Sequence, residues 1–292
     1  MKANLFTCAI FLLLFTAGSA QSQRVAIAKL LSSSLNDRIT QSKFYYPKSV
    51  KRYYAQNGLQ LQWIQKKHEK QTFAAMLLLD CVLHYGLSHA DFHPGILTYD
   101  GLQEMLNTTD TINAARKVRF DLYMTDALIT LINHLHYGKL NPSFSILQRD
   151  GLEKNKDFDV LELLKTAVAS TDFSMSVQSA QPKSKAYHDL QDYMRLIKGQ
   201  YVGDCYEVPE SDVRKVAINM ERLRWFESSS NNVIGREQPY LTCIIKDGLP
   251  VFYPDKNNLD QSLEAAMYGI PKRVASKAKA REQLPTIQLK KN

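Results

Sequence analysis

The feature that most constrains the fold is a long run of apolar residues, spaced three and four apart, between Asn113 and Tyr137. This spacing places them on one face of an α-helix. Gly138 follows the run directly and Pro142 lies just beyond it, and both residue types end helices. The apolar positions are Phe120, Met124, Ala127, Leu128, Leu131 and Leu135. Such a face must be covered, so the sequence predicts a helix bundle with this helix at its centre.

Shorter segments with the same period predict the surrounding helices. One runs from Thr72 to Tyr85 and ends before Gly86, a residue typical of a helix C-cap. Further helices are predicted near Val160 to Ala169, Tyr187 to Lys198 and Asp212 to Trp225. The predicted fold class is therefore mainly α, a helical scaffold bundle.

A small β-hairpin is predicted after the last of these helices. Ser228 to Asn232 forms a polar linker, and two β-rich runs, Tyr240 to Ile245 and Val251 to Tyr253, flank Asp247-Gly248. Asp-Gly between two such runs is the strongest short signal for a hairpin. Pro250 indicates that the second strand lies at an edge. The bundle is thus followed by a small hairpin and a basic tail.

The first twenty residues resemble an export signal. Lys2 precedes an apolar run from Leu5 to Phe15, and small residues lead up to Ala20, where we expect cleavage. The apolar run is shorter than the roughly 20 residues that a membrane-spanning helix needs. We therefore expect an exported, extracytoplasmic protein that is not integral to the membrane.

Most of the formal net charge of +8 lies in the tail. Seven basic residues and only one acidic residue, Glu282, follow Pro271. The rest of the chain is almost neutral once Lys2 is removed with the signal. A broad basic groove is therefore excluded, and we expect no nucleic-acid partner.

Three cysteines remain after the signal: Cys81, Cys205 and Cys243. Their odd number and wide spacing predict neither a disulfide framework nor a zinc cluster, although one bridge among them stays open. Cys81 lies on an apolar helical face, which favours a small buried side chain over a reactive one.

The histidines do not predict a metal centre. His84, His89 and His93 are five and four residues apart across a glycine, which is a poor chelating arrangement. His134 and His136 are two apart on a helix, so they point in different directions and are expected at the surface. We expect no metal and no cofactor.

Asp121 and Thr125 lie one helical turn apart, with Asp126 beside them. The two carboxyl groups could act as a general acid and base. Capping or interhelical hydrogen bonds are the favoured alternative, because nothing else nearby in the sequence suggests an active site.

Four groups of short motifs carry a resemblance to a known family. They are Phe44-Tyr45-Tyr46 with Trp63; Tyr85-Gly86-Leu87 with Asp91-Phe92-His93; Arg119-Phe120-Asp121 and Thr125-Asp126-Ala127 with Gly138-Lys139-Leu140-Asn141-Pro142; and Asn219-Met220-Glu221-Arg222-Leu223-Arg224-Trp225. In this order they resemble the helical scaffold domain of the large Gram-negative (Bacteroidetes-like) L,D-transpeptidases, over about Gln41 to Phe226. The resemblance implies a periplasmic protein that works at peptidoglycan.

The catalytic part of that family has no counterpart in this sequence. The resemblance implies cross-linking through a cysteine acyl-enzyme, which needs a thiolate, a histidine base and oxyanion donors, supplied in a Ser-His-Gly-Cys-type motif. The sequence contains no such motif, and its last histidine is His188. Cys243 lies in Leu241-Thr242-Cys243-Ile244, without a small-residue turn. We therefore expect no catalytic residues.

The chain divides into five predicted segments. They are a signal peptide (1–20), an N-terminal segment (21–40), the helical scaffold-like domain (41–226), a linker with the hairpin (227–270) and the basic tail (271–292).

The last helix of the bundle carries the candidate binding residues. Lys215, Asn219 and Arg222 share one helical face at spacings of four and three. This face is either solvated, or docks the hairpin, or holds another protein together with Arg224 and Trp225. Arginine and tryptophan often anchor interfaces.

Two classes of function follow from these patterns. The first is a non-catalytic accessory protein that binds peptidoglycan or a cell-wall enzyme. The alternative is a cell-wall enzyme, either completed by a partner or using an unrecognised site near Cys243 or Asp121. A truncated remnant of such an enzyme is a third possibility.

Overall fold

The computed structural model describes residues 21–107, 114–151, 158–198, 210–228 and 241–269. The predicted signal peptide, the basic tail and Cys205 lie outside this part of the chain.

The described residues form helices followed by one hairpin and a last helix. Helix α1 covers residues 21–36. The other α-helices are α2 (Arg38–Gln41), α3 (Pro47–Gln56), α4 (Glu69–Asp80), α5 (Tyr99–Asn107), α6 (Ala114–Tyr137), α7 (Ile146–Gly151), α8 (Val160–Ala169), α9 (Phe173–Gln178), α10 (Lys185–Lys198), α11 (Ser211–Ser228) and α12 (Leu259–Tyr268). Short 3-10 helices cover Lys66–His68, Val82–Tyr85 and His89–Phe92, and the strands are β1 (Cys243–Lys246) and β2 (Leu249–Phe252). The predicted fold class is confirmed.

Helix α6 is the central helix, as predicted, and it is buried on every side. Each residue from Phe120 to Leu135 is buried, because α3, α4, α8, α9 and α11 all pack against it. The prediction that His134 and His136 lie at the surface is wrong. His134 has no exposed surface, and His136 is half-buried with its ring stacked on Phe158 at 3.7 Å.

Gly86 ends the segment that was predicted from Thr72 to Tyr85. This segment is α4 followed by a 3-10 helix, and Gly86 takes the left-handed conformation with φ of 66°. A Cβ at this position would lie 2.7 Å from the Cβ of Ala217 on α11. Glycine therefore serves both the turn and the close approach of the two segments.

The hairpin is the one predicted around Asp247-Gly248. Strands β1 and β2 pair antiparallel, with Ile245 opposite Pro250 and Lys246 opposite Leu249. Asp247 and Gly248 both have positive φ, 53° and 78°, as a two-residue type I′ turn requires. At the Pro250 position the backbone nitrogen points away from β1. The missing N–H of proline therefore removes no hydrogen bond between the strands.

Two hydrophobic cores hold the described chain together. The first runs from Leu31 to Ala180 around α6. The second joins α10 and α11 to the hairpin and α12 through Tyr187, Met220, Cys243 and Met267, among others. No helix of the described part is both long enough and apolar enough to cross a membrane.

Candidate functional site

Helix α11, which carries the candidate binding residues, is buried over nine consecutive positions from Val216 to Arg224. Helices α6, α10 and α12 and strand β1 of the hairpin all pack against it. The polar residues of this stretch must therefore find partners within the protein.

Asn219 connects α11 to the start of β1. Its Oδ1 accepts hydrogen bonds from the backbone N–H groups of Thr242 and Cys243, at 2.8 and 3.2 Å. Its Nδ2 donates to the Lys215 carbonyl at 2.7 Å and to Thr242 Oγ1 at 3.2 Å. The side chain satisfies backbone groups at the strand's beginning that would otherwise be buried without a partner.

Arg222 connects α11 to both the hairpin and α12. Its Nη2 lies 2.8 Å from Asp260 Oδ1, and its Nη1 donates to Thr242 Oγ1 at 3.3 Å. The Thr242 hydroxyl donates in turn to Asp260 Oδ2 at 2.6 Å. A second ion pair, between Arg214 and Glu264, also joins α11 to α12. These contacts fix α12 against the bundle.

Arg224 points the other way, into the helical bundle, and is completely buried. Its guanidinium donates to the Tyr85 carbonyl and to Tyr187 Oη, the latter at 2.8 Å, and lies 3.4 Å from Glu221 Oε2. Glu221 Oε1 accepts from the Leu140 N–H and from Trp225 Nε1, both at 2.7 Å. The Glu221–Arg224 pair therefore anchors α11 to α10 and to the loop after α6.

The structure places three of the five candidate binding residues in the interior: Asn219, Arg222 and Arg224 are buried. Asn219 and Arg222 contact the hairpin, one of the alternatives for this face, whereas Arg224 contacts the bundle. Trp225 is half-buried. Lys215 keeps 43% of its side chain exposed and lies 5.2 Å above the Phe252 ring. Of the five candidate residues, Lys215 is therefore the one that is exposed to solvent beside an exposed aromatic ring.

Cys243 has no exposed surface, and burial raises the pKa of its thiol to about 12. Lys215 lowers this pKa, whereas Asp260 and Asp212 raise it. A thiol with such a pKa is almost entirely protonated at neutral pH and is a poor nucleophile. Cys81, in contrast, is half-buried at the junction after α4.

Asp121 makes interhelical hydrogen bonds, as the favoured alternative predicted. Its carboxyl group accepts from the backbone N–H groups of Gln62, Trp63 and Ile64 and from the Tyr54 hydroxyl. Burial raises the pKa of Asp121. These contacts hold the segment before α4 against α6 and keep the carboxyl group away from solvent.

Asp126 also connects segments distant in sequence. It accepts from the backbone N–H groups of Tyr45 and Tyr46, at 3.1 and 2.9 Å, and lies 2.7 Å from His93 Nε2. The acid and base pair imagined for Asp121 and Asp126 is therefore two separate buried anchors.

A partly exposed polar group near these anchors was missed by sequence reasoning. Lys139 Nζ donates to both Asp91 oxygens, at 2.8 and 2.7 Å, and to the Met267 carbonyl at 3.1 Å. The Tyr45 hydroxyl donates to Asp91 at 3.3 Å. Both Asp91 and Lys139 lie in the motifs of the resemblance, but nothing in the sequence indicates that they pair. Over the described ranges, no three histidine, cysteine or acidic side chains form a metal-binding group.

The fold and the contacts of α11 define a class: a mainly α-helical protein with a hairpin and a last helix fixed to its bundle. Residues 48–194, just over half of the 292-residue chain, match the model of a family described as Scaffold domain. The chain belongs to this family. Neither a curated protein nor a solved structure gives a significant match.

Proposed function

We propose that this Scaffold-domain protein is an exported, periplasmic accessory protein of the cell wall. It is related to the scaffold part of the large L,D-transpeptidases, binds peptidoglycan or a cell-wall enzyme, and does not itself form or break bonds. Membership of the Scaffold domain family supports the scaffold role. The link to transpeptidases comes from the motifs quoted above.

The observation that carries the proposal is the way α11 is used. Asn219 and Arg222 fasten the hairpin and α12 to the same helix that Arg224 fastens to the bundle. The hairpin, α12 and the bundle therefore form one unit, and the side chains of Asn219, Arg222 and Arg224 hold it together. Such a unit is suited to holding a partner in place.

The geometry around Cys243 and Asp121 does not favour the enzyme alternative. Cys243 is buried with a raised pKa, and the carboxyl group of Asp121 is filled by three backbone N–H groups and a hydroxyl. A substrate would have to displace these contacts to reach either group. A general base must lie within hydrogen-bond reach of the proton that it removes. Cys243 and Asp121 are both buried, so a substrate cannot come within that distance of either.

The exposed apolar side chains of the hairpin and of the start of α12, together called the hairpin surface, are the best place for a protein partner. Phe252 and Tyr253 expose 39% and 48% of their surface, and Leu249 and Leu259 expose 52% and 43%. Lys215 Nζ lies 5.2 Å from the centroid of the Phe252 ring on this hairpin surface. Aromatic side chains beside a cation are typical of interface anchors.

Muropeptide profiling of a deletion strain tests the proposal. We expect the fraction of L,D cross-links to change in the deletion and to return when the full chain is supplied. A strain carrying Phe252→Ser with Lys215→Glu should fail to restore it. Leu147→Ser, an exposed leucine elsewhere on the surface, is the matched control and should restore it.

Pull-down experiments provide the second arm. Purified protein is mixed with peptidoglycan sacculi and, separately, with purified cell-wall transpeptidases. Retention by either supports the accessory role. An unchanged muropeptide profile together with no retention by sacculi or transpeptidases overturns the proposal, and turnover of muropeptides by the purified chain would favour the enzyme alternative.

A further inference from the structure

A pocket of about 420 Å³ lies between residues 23–27 of α1 and the segment that precedes α4. Residues of α1 form one wall, and residues between Leu59 and Lys67 form the other. This volume is within the range of sites that hold small ligands, roughly 300–1,000 Å³. The residues that line the pocket lie between Gln23 and Lys67 in the sequence. None of them takes part in the α11 contacts.

The polar groups around the pocket are all cations or amides. Its charged residues, Arg24 and Lys67, are both basic, and Gln23 and Gln60 add primary amides. The amide of Gln65 donates to the Leu61 carbonyl within the same wall. Among the described residues that line the pocket, none is acidic. Guanidinium and ammonium groups bind carboxylates, and amides bind peptide groups through both a donor and an acceptor.

The floor of the pocket is aliphatic. Leu61 and Ile64 are buried at 7% and 8% exposure, and Ile27 and Leu59 are partly buried beside them. An apolar floor with a few polar groups at the rim is the usual composition of a binding site for a small organic ligand. A bare inorganic anion would leave this floor unused.

The wall formed by residues 59–67 is held in place from behind. Asp121 accepts the backbone N–H groups of Gln62, Trp63 and Ile64, and Trp63 Nε1 donates to Thr125 at 2.9 Å. Leu59 has φ of 52°, a left-handed conformation that is rare for leucine, and its N–H donates to the Tyr54 carbonyl at 2.9 Å. The binding wall is therefore preorganised, which lowers the cost of binding a ligand.

We propose that this pocket binds a short peptide bearing a free carboxylate, with the carboxylate between Arg24 and Lys67 and an aliphatic side chain on the floor. The cell-wall source of that peptide, the stem peptide of peptidoglycan, rests on the proposed function. The carboxylate chemistry of the pocket does not.

Binding of soluble disaccharide-peptide fragments to the full chain tests the inference by calorimetry. The probes are one fragment with free stem carboxylates and the same fragment with those carboxylates amidated. We expect binding of the first and about tenfold weaker binding of the second, because two exposed charge contacts are lost. Affinity for the first should also fall as salt rises, since both basic side chains are exposed.

The double variant Arg24→Gln with Lys67→Gln should lose about tenfold in affinity for the free carboxylate probe. Lys66→Gln is the matched control: Lys66 is exposed, pairs with Glu69 and does not line the pocket. It should bind as the wild type does. Unfolding curves of all three proteins should coincide, because the changed side chains are on the surface. Equal binding by the double variant, or equal binding of the amidated probe, overturns the inference.

A third probe, an acetylated aliphatic dipeptide with a free C-terminal carboxylate, separates this inference from the proposed function. If the dipeptide binds through Arg24 and Lys67 while sacculi and transpeptidases are not retained, the pocket inference stands and the cell-wall function fails. If the deletion strain has altered cross-links but no carboxylate probe binds, the proposed function stands and the pocket inference fails.

Discussion

The Asn219 side-chain oxygen lies 2.8 Å from the Thr242 nitrogen and 3.2 Å from the Cys243 nitrogen, so one amide on α11 holds the start of β1. Thr242 lies just before β1, and its carbonyl accepts from the Tyr253 N–H at 2.7 Å. The Asn219 amide supplies the acceptor for the two N–H groups at this end of the strand.

Replacing Asn219 with alanine should therefore loosen the hairpin. Two buried N–H groups would lose their acceptor, at a cost of about 1–3 kcal/mol for each group. We expect a loss of about 3 kcal/mol in the free energy of unfolding, measured by urea titration of the full chain. Asn257→Ala changes an exposed asparagine close to the same hairpin and should change stability by no more than about 0.5 kcal/mol. Equal stability of the two variants would show that the Asn219 contacts contribute little.

Gly86→Ala should destabilise the protein for two independent reasons. The new Cβ would lie 2.7 Å from the Ala217 Cβ and 2.9 Å from its Cα, and the backbone at this position has φ of 66°. Strain and overpacking each cost about 1–3 kcal/mol, so we expect a loss of about 3 kcal/mol in thermal or chemical unfolding.

Gly95→Ala is the control for this substitution. A Cβ at Gly95 meets no atom within 4 Å, and its backbone is not in the left-handed region. Its stability should stay within about 0.5 kcal/mol of the wild type. If both alanine variants lose the same stability, the close approach of Gly86 to α11 is not the cause.

The Cys243 thiol should be unreactive in the folded protein. Its burial and raised pKa of about 12 leave very little thiolate at pH 8. In a variant with Cys81→Ser and Cys205→Ser, after removal of the first twenty residues, alkylation by iodoacetamide followed by mass spectrometry should be slow until the chain is unfolded in urea. Adding Asn219→Ala should speed the reaction, because the strand that carries Cys243 is less firmly held. Rapid alkylation of the folded protein without that substitution would reopen the enzyme alternative.

The elements that could be predicted from sequence are those whose signals are local. The period of α6 and the positive φ of Gly86, Asp247 and Gly248 are properties of a few neighbouring residues. Helix α12 was not predicted: it is only ten residues long, and its N-cap, Asn258, makes no side-chain hydrogen bond. The glycine at its C-cap, Gly269, was the one local signal.

The partners within the candidate site could not be predicted, because they are far apart in the sequence. Arg222 meets Asp260, and Lys139 meets Asp91, across long separations that no periodicity describes. The same holds for His134, for which the sequence alone predicts a solvent-facing position on α6. A helix with one apolar face leaves its opposite face to water, but α6 is covered on both, and its polar residues are buried with the rest.

His134 should make the protein less stable as pH falls. It is completely buried, Phe92 lies against it at 6.1 Å between ring centroids, and neither ring nitrogen has a hydrogen-bond partner among the described residues. Burial lowers the pKa of His134 well below its usual value, and the positive charges of Arg149, Lys139 and Arg224 lower it further. The unfolded chain therefore binds a proton near pH 6.5 that the folded chain does not.

The free energy of unfolding rises with pH wherever the unfolded state binds more protons. The stability that the neutral, buried His134 contributes is therefore present above about pH 6.5, the usual pKa of histidine, and is lost progressively below it. Between pH 7.5 and 5.5 we expect this residue to lower the free energy of unfolding by about 1.4 kcal/mol. The measurement is a set of urea titrations of the wild type and His134→Leu across this range. The variant should have a shallower pH dependence by that amount.

His136→Leu, on the same helix but half-buried, should change the slope less, because its burial is weaker and the Ala180 carbonyl offsets the effect of that burial on the pKa of His136. Parallel pH curves for the wild type and His134→Leu would contradict a neutral, desolvated imidazole at this position.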